Sequence, residues 1–240
     1  MKTKMKKLLY VCLAVSFIFT ACKKEEGCTD AIATNYNPDA EENDGSCTYA
    51  AITATITELD ATAETVTNTQ FGLVCTGPFT KFSFSEGGEV QGDNWDIAFR
   101  NSKIIVNGGA DSDTSQPSRT GNAAAYRIDG LMDQITSVNL ALLKQDGDNA
   151  GMFGTTAIID DQGQVFPPAV EPLGWSLYNN DIPQAPILEP LAGKIFVFRT
   201  HDNKYAKVEI LNFYDNPMTN PYGGYYTFNY VYQADGTTTF

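Results

Sequence analysis

The five cysteines are the residues of this chain whose chemistry is easiest to anticipate. A cysteine thiol can be acylated, oxidised to a disulfide or bound to a soft metal. Cys12 and Cys22 lie near the amino terminus, Cys28 and Cys47 bracket a short acidic segment, and Cys75 ends an apolar run. The surroundings of each cysteine therefore predict a different fate for it.

Residues 1–21 have the pattern of an export signal. Four lysines precede an apolar stretch that is too short for a transmembrane span. Two small residues then lead into Cys22, an ending that resembles the lipobox of bacterial lipoproteins, in which the cysteine is lipidated after cleavage. We predict that Cys22 carries the lipid and that Cys12 leaves with the signal. The alternative is an ordinary signal peptide followed by an incidental cysteine.

Residues 22–27 are predicted to be a lipidated tether, because Cys22 is followed directly by the sequence KKEE. This pattern resembles the surface-export signal of Bacteroidetes lipoproteins, although a solvated tether would also account for it. We therefore predict a chain anchored in the outer membrane by lipid and exposed at the cell surface. The lipid is the only predicted contact with the membrane.

The charge of the chain argues against nucleic acid as a partner. The formal net charge is −13, and removing residues 1–21 takes away four basic residues and no acidic ones. A strongly acidic chain repels phosphate backbones and anionic lipid headgroups.

Cys28 and Cys47 are predicted to form a disulfide, since the exported chain meets an oxidising compartment. Closing a loop of this length would stabilise it by about 3 kcal/mol in the chain-entropy model. Cys75 is predicted to be a buried thiol rather than a reactive one. Zinc is not expected, because no other cysteine or histidine lies at ligand spacing.

The acidic module, residues 28–49, carries oxygen-rich side chains around a glycine turn, which suits a hard cation such as calcium. The candidate calcium ligands are Asp39, Asn43 and Asp44. The module is similar to short CTDxxAxNYNPxAxxDDGSC segments of Bacteroidetes surface proteins. The alternative is a disulfide-closed polar spacer whose Asp and Asn side chains make turns.

Residues 50–240 are predicted to form one antiparallel all-β domain. Aromatic and β-branched residues alternate with polar ones, turns are frequent, and no helix–strand rhythm is present. Residues 194–214 predict the clearest hairpin, with its turn at His201 to Asn203. Further strands are predicted in these segments: 51–67, 79–85, 95–99, 103–106, 131–143 and 223–233.

The same segments, in order, resemble the HmuY family of Bacteroidetes surface haem-binding lipoproteins. The similarity covers about residues 55–233 and depends on these motifs: GDNWDIAFRNSKIIVNGG, LMDQITSV, the pair Gly174–Trp175, KIFVFRTHDNKYAKVEILNFY and YYTFNYVYQ. The resemblance implies an antiparallel sheet or sandwich with extended finger loops. It also implies capture of haem or porphyrin for uptake, with an outer-membrane transporter as a further partner.

The resemblance implies that two loops hold haem, each supplying a histidine or methionine as axial ligand. Met152 lies in the first matching loop, although a gap-filling core methionine is the alternative. The second matching stretch, Tyr178 to Asp181, offers only the phenol of Tyr178. His201, the single histidine, is predicted to be an exposed turn residue, and Met132 to belong to the scaffold. We have no argument for Met218 as a ligand.

An enzyme is not predicted. The chain has one histidine, no GxSxG elbow and no phosphate-cradling glycine loop. Paired carboxylates serve glycosidases, and Asp160 and Asp161 are adjacent. On a strand, however, adjacent side chains point to opposite faces, so this pair is poor evidence for such a site. The alternative to haem capture is a binding or scaffold protein that keeps the β fold and docks a protein or glycan. A third possibility is a calcium-stiffened spacer that carries a passive domain.

Overall fold

The chain divides between Tyr49 and Ala50 into two compact units. The computed structural model describes residues 24–69, 72–111, 114–147, 175–179 and 187–240. In these ranges the regular structure is β strand apart from one 3-10 helix, which confirms the predicted all-β class. A search of the same ranges for a helix long and apolar enough to cross a membrane finds none.

The strands follow one another in the described part of the chain, and the 3-10 helix Leu140–Leu142 lies between β10 and β11. In order they are β1 (Glu26–Gly27), β2 (Glu42–Asn43), β3 (Ile52–Asp60), β4 (Thr65–Thr69), β5 (Gly72–Thr76), β6 (Thr80–Ser83), β7 (Gly88–Glu89), β8 (Ile97–Arg100), β9 (Lys103–Val106), β10 (Ala124–Asp129), β11 (Ser176–Asn179), β12 (Ile187–Pro190), β13 (Lys194–Arg199), β14 (Tyr205–Asn212) and β15 (Tyr225–Gln233).

The first unit is closed by a disulfide between Cys28 and Cys47, with the pairing that the sequence predicts. β1 and β2 run parallel beside it. Asn35 links the interior of the loop to its carboxyl-terminal end, because its amide group donates to the carbonyl of Ser46 and accepts from the backbone amide of Thr48. Covalent and Asn-mediated links therefore hold together a module in which few side chains are buried.

The second unit contains a five-stranded antiparallel sheet in the order β10-β13-β14-β15-β3. The predicted hairpin is β13 and β14, and its turn includes Asn203 with φ 67°. In β15 the side chains alternate between buried and half-buried, as a strand with one core-facing side requires. The hairpin and the last strand thus lie where the sequence places them.

A four-stranded antiparallel sheet, β7-β6-β8-β9, shares the main core with the five-stranded sheet. Phe82 and Phe99 contribute from the smaller sheet and contact Phe228 of β15, with ring centroids 5.3 and 6.0 Å apart. Edge-to-face and offset aromatic pairs of this kind stabilise a core beyond the area they bury. The two sheets therefore enclose an aromatic interior.

The opposite face of the five-stranded sheet is covered by residues 131–143, and here the predicted strand is wrong. The segment is a turn, isolated bridges and the 3-10 helix, with Ile135 and Val138 packed on β13. Its own side chains bond the backbone: Gln134 accepts from the amide of Leu131, and Asn139 caps the 3-10 helix. These local bonds compete with a strand ladder, which explains the irregular path.

Two further hairpins complete the second unit, β4 with β5 and β11 with β12. Within the described ranges, each of these strands pairs only with its hairpin partner. The loops predicted as fingers, in residues 148–174 and 180–186, lie outside the described residues.

Candidate functional site

The β11–β12 hairpin contains the second predicted ligand position. Tyr178 lies in β11 opposite Leu188 of β12, one residue before the connecting segment 180–186. Leu188 is buried, and its amide donates to the hydroxyl of Tyr214 at 2.8 Å. The base of the hairpin is therefore held against the main core.

Trp175 is the residue that fixes the start of β11. Its side chain is buried, its ring lies 5.0 Å from that of Phe213 and 5.4 Å from that of Tyr226, and its indole Nε1 donates to the carbonyl of Ser102 at 2.9 Å. Packing and a buried hydrogen bond thus tie the hairpin to the turn between β8 and β9. Trp175 of the GW motif is therefore a structural anchor.

The chain that leads into the first predicted loop is held by an ion pair. Asp146 Oδ2 accepts from Arg119 at 2.8 Å and from the amide of Val106 at 3.0 Å, and the side chains of Asp146 and Arg119 are buried. The guanidinium of Arg119 also lies 5.6 Å from the ring centroid of Trp95. Met152, the predicted thioether ligand, lies beyond this point, outside the described residues.

His201 corrects a prediction, because it is not an exposed turn residue. Its imidazole Nδ1 lies 2.7 Å from Oδ1 of Asp96, its amide donates to the same oxygen, and its side chain is only 19% exposed. The turn was predicted correctly, but the partner lies on the segment before β8. The sequence offered no local signal for a contact between residues so far apart.

Asp96 is a buried carboxylate whose acceptors are used inside the fold. Oδ2 accepts from the amide of Phe84 at 2.8 Å, while Oδ1 faces His201. Burial raises the pKa of Asp96, and the hydrogen bonds from His201 and Phe84 oppose that rise. The arrangement links the β13–β14 turn of the five-stranded sheet to the segments just after β6 and just before β8 of the four-stranded sheet.

Asp96, His201 and Asp202 are also the one group of metal-ligand side chains that cluster within the described residues, with ligand atoms within 4.8 Å of one another. Asp202 accepts from the hydroxyl of Thr200 at 2.6 Å and lies 3.2 Å from the ammonium of Lys204. Partial burial raises the pKa of Asp202, but those two partners lower it overall. A cation here would compete with these bonds and with Lys204, so the geometry favours a structural cluster.

Two of the three predicted calcium ligands of the acidic module, Asn43 and Asp44, act as turn acceptors. Asn43 accepts from the amide of Gly45 at 3.0 Å, and Asp44 accepts from the amide of Ser46 at 2.8 Å. The Ser46 hydrogen bonds lower the pKa of Asp44. The amide of Asp39 donates to Asn37 in a third turn of this kind. These bonds support the spacer alternative, and calcium finds no support in the geometry.

The remaining sulfur-bearing residues differ in their surroundings. Met132 packs partly buried against β13, which agrees with the scaffold role predicted for it, and Met218 is 77% exposed. Cys75 lies in β5 at intermediate exposure rather than fully buried. Cys22 lies outside the described residues.

The donors at the predicted haem positions fit a haem only in part. Met152 offers a thioether, and the hairpin between Trp175 and Pro190 contains no histidine or methionine in its sequence. The phenol of Tyr178 is the remaining donor there. His201 does not supply the missing imidazole at this place, because Asp96 holds its ring beside β8.

Three solved structures are similar to this chain. A candidate lipoprotein of Bacteroides fragilis has 16% identity and a TM-score of 0.44, covering 75% of this chain and 89% of its own. The apo HmuY analogue of Tannerella forsythia has 16% identity and a TM-score of 0.42, covering 78% and 98%. A candidate HmuY-like haem-binding protein of Bacteroides vulgatus has 14% identity and a TM-score of 0.41, covering 75% and 92%.

No curated protein matches the sequence. The family model described as HmuY protein matches residues 77–230, which is more than half of the chain and includes both sheets' central strands and the β11–β12 hairpin. The members of that family are binding proteins rather than enzymes. This chain therefore belongs to the HmuY family.

Proposed function

We propose that this chain is a lipid-anchored protein of the outer-membrane surface that captures haem or a related porphyrin for uptake. The family match over residues 77–230 is the observation that carries the proposal. The anchor would be Cys22, followed by the tether 22–27, the module 28–49 and the β domain 50–240. An outer-membrane transporter would receive the cargo.

In this proposal Met152 would hold a haem through its thioether and Tyr178 through its phenol. Bound haem would supply an iron centre that these two side chains ligate. The contacts that hold these two segments to the core support the two ligand roles. Trp175 and Leu188 hold one hairpin to the core, and the Arg119–Asp146 ion pair holds the chain near the other loop.

Titration of haemin into the mature chain tests the proposal. We expect a shifted Soret band at one equivalent, lost or moved in Met152→Ala and altered in Tyr178→Phe. Met218→Ala is the matched control, because that methionine is exposed and lies on another loop. No Soret shift in the parent chain, or identical spectra for the parent and Met152→Ala, would overturn haem capture through Met152.

A second candidate function is supported by one observation, the lack of histidine and methionine between Trp175 and Pro190. A family member that lost its second ligand could use the same hairpin to dock a protein or glycan. Metal-free protoporphyrin separates the two functions, since it retains the ring and removes axial ligation. Binding of neither haemin nor protoporphyrin would favour the docking function.

A further inference from the structure

β3 forms one edge of the five-stranded sheet in the described part of the chain. Within the described residues β3 pairs with β15 alone, so one row of its backbone groups has no strand beside it. Natural proteins blunt such an edge with charged residues, proline, bulges or short strands. In β3 a bulge and charges occur only at its end, at Glu58, which has φ 52°, and at Asp60, whereas residues 52–56 contain no lysine, proline or bulge.

The core-facing side chains along residues 52–56 of β3 are apolar, so the apolar core extends to the edge of the sheet. Ala54 lies opposite Tyr230 and Ile56 opposite Phe228, and both pack partly buried against the main core. Ile52 continues the row opposite Tyr232 and is 47% exposed. The row therefore ends at an apolar margin that a further strand would cover.

The other face of β3 carries threonines, and residues 52–57 contain no charged side chain. The whole chain has a formal net charge of −13, so two copies repel one another over much of their surface. An uncharged stretch is the place where two copies approach at least cost. Cross-strand Thr–Thr and Ile–Ile pairs also stabilise antiparallel strands.

We propose that β3 pairs with β3 of a second copy of this chain, antiparallel and centred on Ala54. In this register Ala54 faces Ala54 of the second copy, Ile52 faces Ile56, and Thr53 faces Thr55. The two five-stranded sheets become one continuous sheet, and the exposed side chain of Ile52 is buried in each of the two copies. This interaction is independent of haem capture and uses none of the candidate haem ligands, but it rests on the proposed lipid anchor at Cys22.

A strand edge buries less than the roughly 1,200–2,000 Å² of a stable interface, so the dimer should form where the copies are concentrated. Anchoring of both copies in one membrane raises their effective concentration. The test is therefore made on the full chain in membranes, with Cys75→Ser present in every variant. Ala54→Cys should give a disulfide-linked dimer on a non-reducing gel, because facing residues lie about 4.5–5.5 Å apart.

Thr57→Cys is the matched control on the same strand, and in the proposed register it lies about 20 Å from its own copy. Adding Thr53→Lys to Ala54→Cys should reduce the dimer at least tenfold, whereas Thr67→Lys on β4 should leave it unchanged. A dimer yield for Ala54→Cys no higher than for Thr57→Cys would overturn the proposal. A cross-link to a different protein in place of the homodimer would also overturn it.

If Ala54→Cys fails to fold, co-expression of Thr53→Cys and Thr55→Cys tests the same register from the solvent-facing side. The proposal expects a cross-link only when both variants are present, because Thr53 faces Thr55 and not itself. Equal cross-linking of each variant alone would contradict the register.

Discussion

The imidazole Nδ1 of His201 lies 2.7 Å from Oδ1 of Asp96, although 105 positions separate the two residues in the chain. The same oxygen accepts the amide of His201, so the turn and the imidazole are fixed together. The pair joins the β13–β14 turn of the large sheet to the segment before β8 of the small sheet. It is one of the polar links between the two sheets. We expect its loss to lower the free energy of unfolding before it changes function.

Asp96→Asn should lower the free energy of unfolding by about 1–3 kcal/mol, because the asparagine amide cannot accept from both His201 and Phe84. The difference should depend on pH. Burial raises the pKa of Asp96 above 3.8, so the folded chain holds this proton more tightly than the unfolded chain. The advantage of the parent over Asp96→Asn should therefore fall as the pH rises from 3.8 through the raised pKa.

Urea denaturation at a series of pH values measures this trend. Asp202→Asn is the control, since its pKa is lowered and its pH trend should have the opposite sign. An advantage of the parent that grows with pH over that window would contradict the assignment for Asp96.

Trp175→Phe should cost about 1–3 kcal/mol, because the carbonyl of Ser102 loses its buried donor while most ring packing remains. Trp175→Ala should cost about 3–5 kcal/mol through the cavity it leaves among Phe213 and Tyr226. Chemical denaturation gives both values. If the hairpin holds haem, Trp175→Phe should also weaken haemin binding at a temperature where the variant is fully folded, and unchanged binding would separate the anchor from the site.

Lys207→Met should destabilise the layer over the large sheet. The ammonium donates to the carbonyls of Met132 and Ile135, both at 2.7 Å, and lies 4.8 Å from the ring centroid of Phe240. Leaving these carbonyls without a donor should cost about 1–3 kcal/mol.

The Lys207 contribution should also change with pH. Burial lowers the pKa of Lys207 below 10.5, so charging it costs more in the folded chain than in the unfolded one. Stability of the parent relative to Lys207→Met should therefore rise as the pH rises through the lowered pKa towards 10.5. Thermal melts between neutral and alkaline pH test this, and a flat or falling difference would contradict it.

Replacing both Cys28 and Cys47 with serine should remove about 3 kcal/mol from the first unit, since the bond closes a loop with a sequence separation of 19. Limited proteolysis should then cut between the two serines, whereas the β domain should keep its melting temperature. A melting temperature that falls by more than a few degrees would show that the second unit depends on this bond.

Chelation should leave the first unit unchanged, because side-chain oxygens of Asn37, Asn43 and Asp44 already accept backbone amides. We expect equal proteolysis rates with calcium and with excess chelator. Protection by calcium that Asp44→Asn abolishes would restore the calcium hypothesis.

Short-range patterns in the sequence predicted the parts of the fold that depend on alternation and turn residues. β15 is of this kind, because its residues alternate between buried and half-buried, and the β13–β14 hairpin is marked by its turn residues, His201 to Asn203. Residues 131–143 alternate in the same way, but Gln134 and Asn139 bond the nearby backbone and break the ladder. The environment of His201 could not be predicted, since it depends on a contact across two sheets.

The site was predicted mainly through resemblance. The motifs identified the family, and Trp175 proved to be a buried anchor whose partner, the carbonyl of Ser102, belongs to another motif of the same series. Of the two candidate ligands, Tyr178 lies in the short strand β11 and Met152 lies outside the described residues. Neither position belongs to a periodic pattern in the sequence, so spacing alone cannot assign their roles.

The attachment of the β11–β12 hairpin has a consequence for how such proteins diversify. In the described ranges its strands pair only with each other, and buried side chains such as Trp175 and Leu188 hold it to the core. The connecting segment 180–186 can therefore change in sequence without shifting the register of either large sheet. If the hairpin holds the cargo, as proposed, then cargo preference is a trait that can evolve separately from the scaffold, and grafting this hairpin between relatives should transfer it.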